Sequence, residues 1–433
     1  MFNKYGKGVR GLAILATAAV TAFGISGCNN AGSSTDASGP ATITFQWWGN
    51  DERAKLTEQA VDLFEQANPD ITVNTSYSTI DAYIPKLATQ IAGGGAPDLF
   101  LVPMESVREY ASKKALTPLT DYLGSTIRTD NISKSTLDIG TVDGEVVGIT
   151  LGLASSAMVY NPTVWKEAGA EIPGPGFTWD DLREAGAKIR DSSGGKTAAL
   201  SDPGGAILWF EAHLLQNGKE LYTDDGKIGF TKEDLAEWWE LTSELRESGV
   251  TTDAETTSTI DQSMQNSGLA RGLSAAEFAA ASLTDAYATT IGPENVALAP
   301  FPTFTDISGM YMNGQNEAAI SSKSSHKQAA AKLLDFLLND PEAGKVLGLT
   351  RGISPNTETY KSISSELKGG QKMVSDFVAQ HEKSFVAPPP LAPAGASVLP
   401  AAFTLAYEQV SFGQTDIDKA AEQLVATFES SIR

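Results

Sequence analysis

Two adjacent tryptophans, Trp47 and Trp48, stand directly before a glycine and two polar residues, Asn50 and Asp51. Indole rings offer flat apolar surfaces, and the neighbouring amide and carboxylate can form hydrogen bonds. A sugar complements both, because its axial hydrogens form an apolar face and its hydroxyl groups need hydrogen-bond partners. These four residues therefore have the chemistry of a carbohydrate-binding surface.

A strand and a helix are predicted to position these residues. Apolar and polar residues alternate from Ile43 to Trp47, which predicts a β-strand that ends at Gly49. An amphipathic helix follows, with one of the two polar residues as its N-cap, and a second strand begins at Ile71. Parallel α/β sheets place their ligand crevice at the carboxyl ends of the strands. The two tryptophans and the polar residues after them would therefore lie at that crevice.

The two tryptophans should play different roles, because neighbouring side chains of a strand point to opposite faces. Trp47 continues the phase of the apolar residues, whereas Trp48 continues that of the polar ones. We expect Trp48 to stack on the ligand and Trp47 to pack partly into the domain and support it. Two alternatives remain open: both rings reach the ligand as the strand ends, or both are core residues.

Two more acidic residues occupy positions where a ligand could bind. Glu105 follows a short apolar strand predicted at residues 96–102, again at a carboxyl end. Asp202 lies in a glycine-containing loop before an aromatic-rich helix that includes Trp209. For Asp202, a ligand-binding role and a capping role are both open.

Threonines mark the predicted starts of two other helices. Thr178 and Thr231 are each followed three residues later by an aspartate, a spacing typical of a helix N-terminus in which both side chains cap backbone N–H groups. We therefore expect helices to begin at both positions.

The length and charge of the chain limit its class. It has 433 residues, enough for two domains. Its formal net charge is −21, and removal of a basic N-terminal segment would make it more negative. This balance argues against nucleic-acid binding and against electrostatic adhesion to anionic lipid.

Residues 1–27 resemble an export signal, with three basic residues before an apolar run. The run is short for a membrane span, although a signal anchor is the alternative. It ends in Ile-Ser-Gly-Cys, which resembles a bacterial lipobox and predicts a lipid on Cys28, followed by a flexible tether over residues 28–40. Cys28 is the only cysteine, so no internal disulfide can form, and a spare reactive thiol is the competing interpretation.

No enzymatic signature emerges from the sequence. The three histidines are far apart, and no zinc-type spacing or Gly-x-Ser-x-Gly motif occurs. Two Ser-x-x-Lys matches lack the companion motifs of that enzyme class. Acidic residues are plentiful, so a glycosidase pair stays open, but no pair stands out. We predict a non-enzyme without a cofactor or a metal.

Six segments occur in an order typical of one family. They are FQWWGNDERAKLTEQAVDLFEQANPDITV, AGGGAPDLF, DGEVVGITLG, MVYNPTVWKEAG, TWDDL and AAAKLLDFLLNDPEAG. Together they resemble the extracellular sugar-binding proteins of ABC importers, the group that includes maltose-binding protein. The resemblance implies the α/β fold of the periplasmic binding proteins, with two lobes, three crossing segments and a ligand cleft between the lobes.

The resemblance also implies boundaries. The crossing segments would fall near residues 152–155, 308–312 and 360–362. Lobe 1 would comprise residues 41–153 and 312–360, and lobe 2 would comprise residues 154–311 and 361–433. Closure of the two lobes on a hinge would bury the ligand without any chemical step.

By motif position, the family's acidic cleft residues correspond to Asp51, Glu105 and Asp202, and Arg351 lies on a loop that often faces the cleft. The remaining candidates for ligand contact are Ser155, Trp209, Phe278 and Asn313.

Two segments depart from the family pattern. Residues 271–277 lack the tryptophan expected there for stacking, although Phe278 is close. Residues 394–399, AGASVL, lack the aromatic pair that maltose-binding protein has in its last cleft segment. This end of the cleft therefore offers less stacking surface, and a linear maltodextrin is not implied.

These observations predict a lipid-anchored, monomeric receptor at the outer face of the cell membrane, which binds an oligosaccharide and delivers it to an ABC permease. One alternative is a secreted glycosidase-type enzyme. The other is the same receptor fold with a non-sugar ligand such as a polyol, a polyamine or a phosphorylated compound. Lys and Arg are scarce near the two tryptophans in the sequence, which argues against phosphate.

Overall fold

The computed structural model describes residues 40–261, 263–314 and 317–432. The predicted signal and Cys28 lie outside the described residues. Within the described ranges, no helix is both long and apolar enough to span a membrane.

The described chain consists of short strands and mostly longer helices. The strands are β1 (Ala41–Trp48), β2 (Ile71–Ser78), β3 (Leu99–Val102), β4 (Thr141–Val142), β5 (Glu145–Val146), β6 (Ile149–Thr150), β7 (Leu153–Ala154), β8 (Ser156–Tyr160), β9 (Ala276–Ala280), β10 (Ala297–Ala299), β11 (Asn313–Gly314) and β12 (Glu317–Ile320). The helices are α1 (Asp51–Ala67), α2 (Ile80–Ala92), α3 (Met104–Ser112), α4 (Lys134–Ile139), α5 (Pro162–Glu167), α6 (Trp179–Ser193), α7 (Ile207–Gln216), α8 (Lys232–Glu247), α9 (Ala254–Thr257), α10 (Thr284–Ile291), α11 (Lys327–Asn339), α12 (Pro341–Leu347), α13 (Thr357–Ser364), α14 (Gly369–His381), α15 (Leu399–Ser411) and α16 (Ile417–Ser431). Short 3₁₀ turns occupy Ala281–Leu283, Pro293–Asn295, Glu382–Ser384 and Ala396–Val398.

A five-stranded sheet in the order β2-β1-β3-β12-β6 forms the first core. β1 runs parallel to β2 and β3, and β12 runs antiparallel to β3 and β6. The helix α1 connects β1 to β2 and packs on β2, whereas α2 and α11 pack on β1, where Ile43 and Phe45 are fully buried. We call this part of the molecule lobe 1.

The predicted start of α1 is confirmed. Asn50 is the N-cap, and its Oδ1 accepts a hydrogen bond from the backbone N–H of Arg53 at 2.9 Å. One face of the helix is buried, and Phe64 on that face meets Phe336 of α11 edge-on at 5.5 Å between ring centroids. Full burial of one such ring stabilises the fold by roughly 1.5–3 kcal/mol.

The second core, lobe 2, surrounds the antiparallel sheet β10-β8-β9. Its helices include α6 and α8, and both predicted capping boxes are confirmed: the Thr178 and Thr231 hydroxyls accept from the N–H groups of Asp181 and Asp234, whose carboxylates accept in return. Four tryptophans are 2% exposed or less and dominate this core: Trp165, Trp179, Trp238 and Trp239.

Several short elements connect the two sheets. β7 follows the lobe 1 strand β6 and leads to β8, while β11 follows β10 and leads back to β12. Residues 360–362, where the third crossing segment is expected, lie inside α13. That helix packs on α12, and the next helix, α14, packs on α10, so the chain crosses at residues 365–368.

Candidate functional site

A cavity of about 590 Å³ opens between the lobes at the carboxyl end of β1. Lobe 1 contributes Asn50, Glu52, Arg53, Leu349, Thr350 and Gly352, and the crossing strand β7 contributes Leu153 and Ala154. Lobe 2 contributes Met264, Ser282, Leu283, Asp285, Ala286, Thr289, Thr290, Gly370, Gln371 and Val374. Half of these residues carry hydrogen-bonding side chains, so the cavity suits a polar solute held from both sides.

Trp47 and Trp48 do not line this cavity. Trp47 is fully buried and lies 4.8 Å from Phe45, centroid to centroid. Trp48 is 8% exposed and packs on Tyr83 of α2 at 5.3 Å. The reason is that β1 is buried on both faces from Phe45 to Trp48, although Thr42 and Thr44 are exposed, so alternation no longer separates core from surface at its carboxyl end. The structure therefore favours the interpretation of both rings as core residues over Trp48 as a stacking surface.

The two polar residues after the tryptophans, Asn50 and Asp51, differ in their position relative to the cavity. Asn50 lines the cavity while it caps α1. Asp51 is exposed in the first turn of α1, and its Oδ1 accepts from the Tyr77 hydroxyl at 3.2 Å. The Asp51 side chain is not among those that line the cavity.

Three other predicted site residues are Glu105 in lobe 1 and Ser155 and Asn313 on or next to the strands that connect the lobes. Glu105 is exposed in the first turn of α3 and does not line the cavity. Ser155 is 2% exposed, and its carbonyl accepts from the Ala281 N–H at 2.9 Å. Asn313 is half-buried and faces Ala154 across the pairing of β7 with β11. Ser155 and Asn313 thus lie beside the cavity wall.

Asp202 is held by hydrogen bonds and an ion pair inside lobe 2. Its side chain is fully buried, pairs with Arg246 at 3.2 Å and accepts from the Tyr407 hydroxyl at 2.8 Å and from the Gly204 N–H at 2.9 Å. Burial raises the pKa of this carboxyl, and its hydrogen bonds and Arg246 oppose the shift. Because protein groups already occupy the carboxylate, Asp202 is not part of the site that we assign.

Trp209 and Phe278 form an aromatic cluster on lobe 2. Their rings meet edge-on at 5.6 Å, and Phe301 contacts both, at 5.6 Å and 4.7 Å. Both predicted residues are half-buried and do not line the cavity. The structure brings them together with each other but not with Asn50.

Arg351 lies in the loop between α12 and α13, and its side chain reaches Trp47 near the end of β1. It is 5% exposed, its guanidinium lies 6.0 Å from the centre of the Trp47 ring, and its Nη2 donates to Thr57 Oγ1 at 2.6 Å. Nη1 has no hydrogen-bond partner within the described ranges. Burial, and then the charge of Arg53, lowers the pKa of Arg351 to about 9, so it stays protonated at neutral pH.

Arg53 is a cavity residue that the sequence analysis missed. Its Nη2 donates to the Thr350 carbonyl at 2.7 Å. Gly49 leaves room for it, since a Cβ there would lie 2.7 Å from the Arg53 Cδ. The signal was available, because Arg53 lies one turn into a helix that starts at a strand's carboxyl end.

The lobe 2 wall was also missed. Ser282 to Thr290 follow the end of β9, which belongs to an antiparallel sheet, so the rule for parallel sheets that selected Asn50 could not have selected them. Gln371 could not have been found this way either, since α14 follows no strand. In the part of the chain that the structure describes, no group of three His, Cys, Asp or Glu side chains could hold a metal ion.

Known proteins share this architecture. An extracellular solute-binding protein of family 1 from Alicyclobacillus acidocaldarius has a TM-score of 0.72 and 27% identity, covering 91% of this chain and 99% of that one. An oligogalacturonide-binding protein from Yersinia enterocolitica, solved with digalacturonic acid, has a TM-score of 0.78 at 20% identity, covering 91% of this chain and 100% of that one. At that identity the likeness shows the fold alone, a two-lobed α/β solute-binding protein.

Sequence relatives agree with the structural ones. The arabinooligosaccharide-binding protein of Bacillus subtilis strain 168 is 26% identical over 208 residues, which are 47% of this chain and 47% of that protein. The chain thus matches about half the length of such curated relatives. Residues 49–344 match the bacterial extracellular solute-binding protein family. With a polar cavity between two α/β lobes, this match over more than half of the sequence establishes that the chain belongs to the bacterial extracellular solute-binding protein family.

Proposed function

We propose that this protein is the carbohydrate receptor of an ABC importer, which binds an oligosaccharide between its lobes and delivers it to the permease. The observation that carries the proposal is the cavity of about 590 Å³, lined by side chains with hydrogen-bonding groups from both lobes. Similarity to an arabinooligosaccharide-binding protein and to an oligogalacturonide-binding protein supports a saccharide as the ligand.

The ligand would close the molecule. A solute in the cavity can contact Asn50 and Arg53 of lobe 1 and Thr290 and Gln371 of lobe 2 at once only when the lobes are together. Binding would therefore shift the population towards a closed state. No covalent step is needed for such a cycle.

The contacts would be mainly hydrogen bonds. Asn50, Arg53 and Thr350 on one side and Ser282 and Thr290 on the other offer donors and acceptors for sugar hydroxyls. Among the described residues that line the cavity none is aromatic, so the leucine and methionine side chains supply its apolar surface.

Export and lipid attachment at Cys28 complete the proposal. A lipid on this residue would hold a monomeric receptor at the outer face of the cell membrane, close to the permease that receives the sugar. Stable attachment would need more than one acyl chain, since a single chain anchors a protein only marginally.

A thermal-shift screen followed by calorimetry tests the receptor function. The panel should contain neutral and acidic oligosaccharides together with a polyol, a polyamine and a sugar phosphate. A ligand at 100 times its Kd should stabilise the protein by about 2.7 kcal/mol. If only the polyamine or polyol stabilises the protein, or if the sugars are hydrolysed, the proposed function is wrong.

A pair of threonine variants tests whether the ligand binds in the cavity. Thr290 lines the cavity, is exposed on α10, and its hydroxyl donates to the Ala286 carbonyl at 2.8 Å. Thr427 makes the same bond within α16, to the Gln423 carbonyl at 2.9 Å, away from the cavity. Thr290→Ala should weaken sugar binding several-fold, as loss of one hydrogen bond of about 1 kcal/mol predicts. Thr427→Ala should leave binding unchanged.

A further inference from the structure

Two arginines without carboxylate partners lie near each other in lobe 1, and one of them, Arg53, lines the cavity. Arg53 is half-buried. Arg351 does not line the cavity and is 5% exposed, but it is near enough for the charge of Arg53 to lower its pKa. Within the described ranges, neither forms an ion pair with a carboxylate. The chain has 53 acidic residues against 32 basic ones, yet neither arginine pairs with an acidic residue in the described part of the chain.

Neutral groups hold both guanidinium groups in position. Arg53 donates to the Thr350 carbonyl, and Arg351 donates to the Thr57 hydroxyl and lies over the ring of Trp47. These contacts fix the geometry but cancel no charge. Because taking a cation out of water costs free energy unless an anion replaces the water, the pair is poised for an anionic ligand.

The carboxylates of the cavity do not neutralise this corner. Asp285 accepts from the Gly370 N–H at 2.7 Å, so it caps the start of α14 on the lobe 2 side. Glu52 is exposed in the first turn of α1 and pairs with neither arginine. Both can accept hydrogen bonds from sugar hydroxyls, which leaves the arginines for a negatively charged group.

We propose that the ligand is an acidic sugar, whose anionic group binds Arg53 while Arg351 adds positive charge beside it. This inference rests on the proposed carbohydrate receptor function and names the class of sugar. A planar guanidinium matches the oxygens of a carboxylate or a phosphate, and such charge-assisted hydrogen bonds are stronger than neutral ones. A uronic acid and a sugar phosphate both supply this chemistry.

Calorimetry on the unmodified protein separates these possibilities. One arm uses uronic-acid disaccharides of the galacto, gluco and manno series against their neutral methyl esters. A second arm uses sugar 1-phosphates against the parent sugars. We expect an acidic member of one arm to bind at least tenfold more tightly than its neutral match. A neutral sugar that binds as tightly as its acidic match overturns the inference and leaves the receptor function intact. If no sugar binds, both are overturned.

Arginine variants then test the assignment to Arg53. Arg53→Gln should weaken the acidic sugar at least tenfold and its neutral match much less, and Arg53→Lys, which keeps the charge but loses the planar fork, should fall between. Arg271→Gln is the control, because Arg271 is exposed on lobe 2 and its Nη1 donates to Thr259 at 2.9 Å. Melting temperatures verify that each variant is folded. If folded Arg53→Gln keeps the full preference for the acidic sugar, the assignment is overturned.

Discussion

Ala154 of β7 and Asn313 of β11 are register partners in a two-stranded antiparallel sheet. Each strand is only two residues long and connects lobe 1 to lobe 2. Ala154 also lines the cavity. Leu153 of β7 also exchanges two backbone hydrogen bonds of 2.7 Å with Ile353. Two short paired strands that connect the lobes are suited to act as a hinge, and here they lie beside the proposed binding site.

Trp48→Ala should destabilise the protein, because its ring is buried against Tyr83. Truncation of a buried tryptophan costs about 3–5 kcal/mol in the free energy of unfolding. Urea denaturation measures this cost. Phe304→Ala is the control, since this ring is 56% exposed and its loss should change stability by no more than about 0.5 kcal/mol. Unchanged stability of Trp48→Ala with lost sugar binding would restore Trp48 as a stacking residue.

Removing the charge of Asp202 should affect stability and not binding. Asp202→Asn leaves Arg246 without its buried partner, and breaking such a pair typically costs about 3–5 kcal/mol. Sugar affinity, measured by calorimetry at a temperature where the variant is folded, should stay within twofold of wild type. A tenfold loss of affinity in the folded variant would return Asp202 to the binding site.

Glu317 should make stability depend on pH. It is fully buried in β12, neither carboxylate oxygen has a hydrogen-bond partner among the described residues, and the nearby Thr150 hydroxyl donates to the Gly152 carbonyl at 2.7 Å instead. Burial raises the pKa of Glu317 from 4.5 to about 8. Because the folded state holds the proton more tightly, its contribution to the free energy of unfolding is largest below about pH 4.5 and falls as the pH rises to about 8.

Denaturation of wild type and Glu317→Gln between pH 4 and 9 checks this dependence. The free energy of unfolding of Glu317→Gln should decline less with rising pH than that of wild type, because the amide does not titrate. Glu358→Gln changes an exposed glutamate that pairs with Lys361 at 2.8 Å, and it should follow the wild-type curve. Identical pH profiles of wild type and Glu317→Gln would show that Glu317 is not protonated in the fold.

Cys28→Ala should release the protein from membranes or stall its processing, because the proposed lipid would have no attachment site. Fractionation of cells that produce wild type or the variant measures the membrane-bound share. A correctly processed Cys28→Ala protein that stays on membranes contradicts the lipid-anchor proposal.

Local chemistry was predictable from the sequence. The alternation before Gly49 and the cap at Asn50 predicted β1 and α1, and the threonine–aspartate spacings predicted the starts of α6 and α8. In each case the signal lies within a few residues of the structure that it specifies. The order of six such segments, through their resemblance to one family, also predicted the two-lobed fold.

The site itself was less predictable, since its geometry depends on contacts between distant parts of the chain. The alternation of apolar and polar residues could not show that both faces of β1 are buried from Phe45 onward and that Trp48 is therefore buried. Arg53 meets the carbonyl of Thr350, 297 residues away, and no local pattern encodes that contact. For Asp202 the sequence left two roles open, and the choice between them depended on Arg246 and Tyr407.

Small-angle X-ray scattering tests the central claim, that a sugar binds between the lobes and closes them, most directly. The ligand would be the tightest binder from the calorimetric panel, and Arg53→Gln at the same concentration would serve as a partly saturated control. We predict that the radius of gyration falls on saturation with the sugar and falls less for the variant. An unchanged radius at a saturation verified by calorimetry would contradict binding between the lobes with hinge closure.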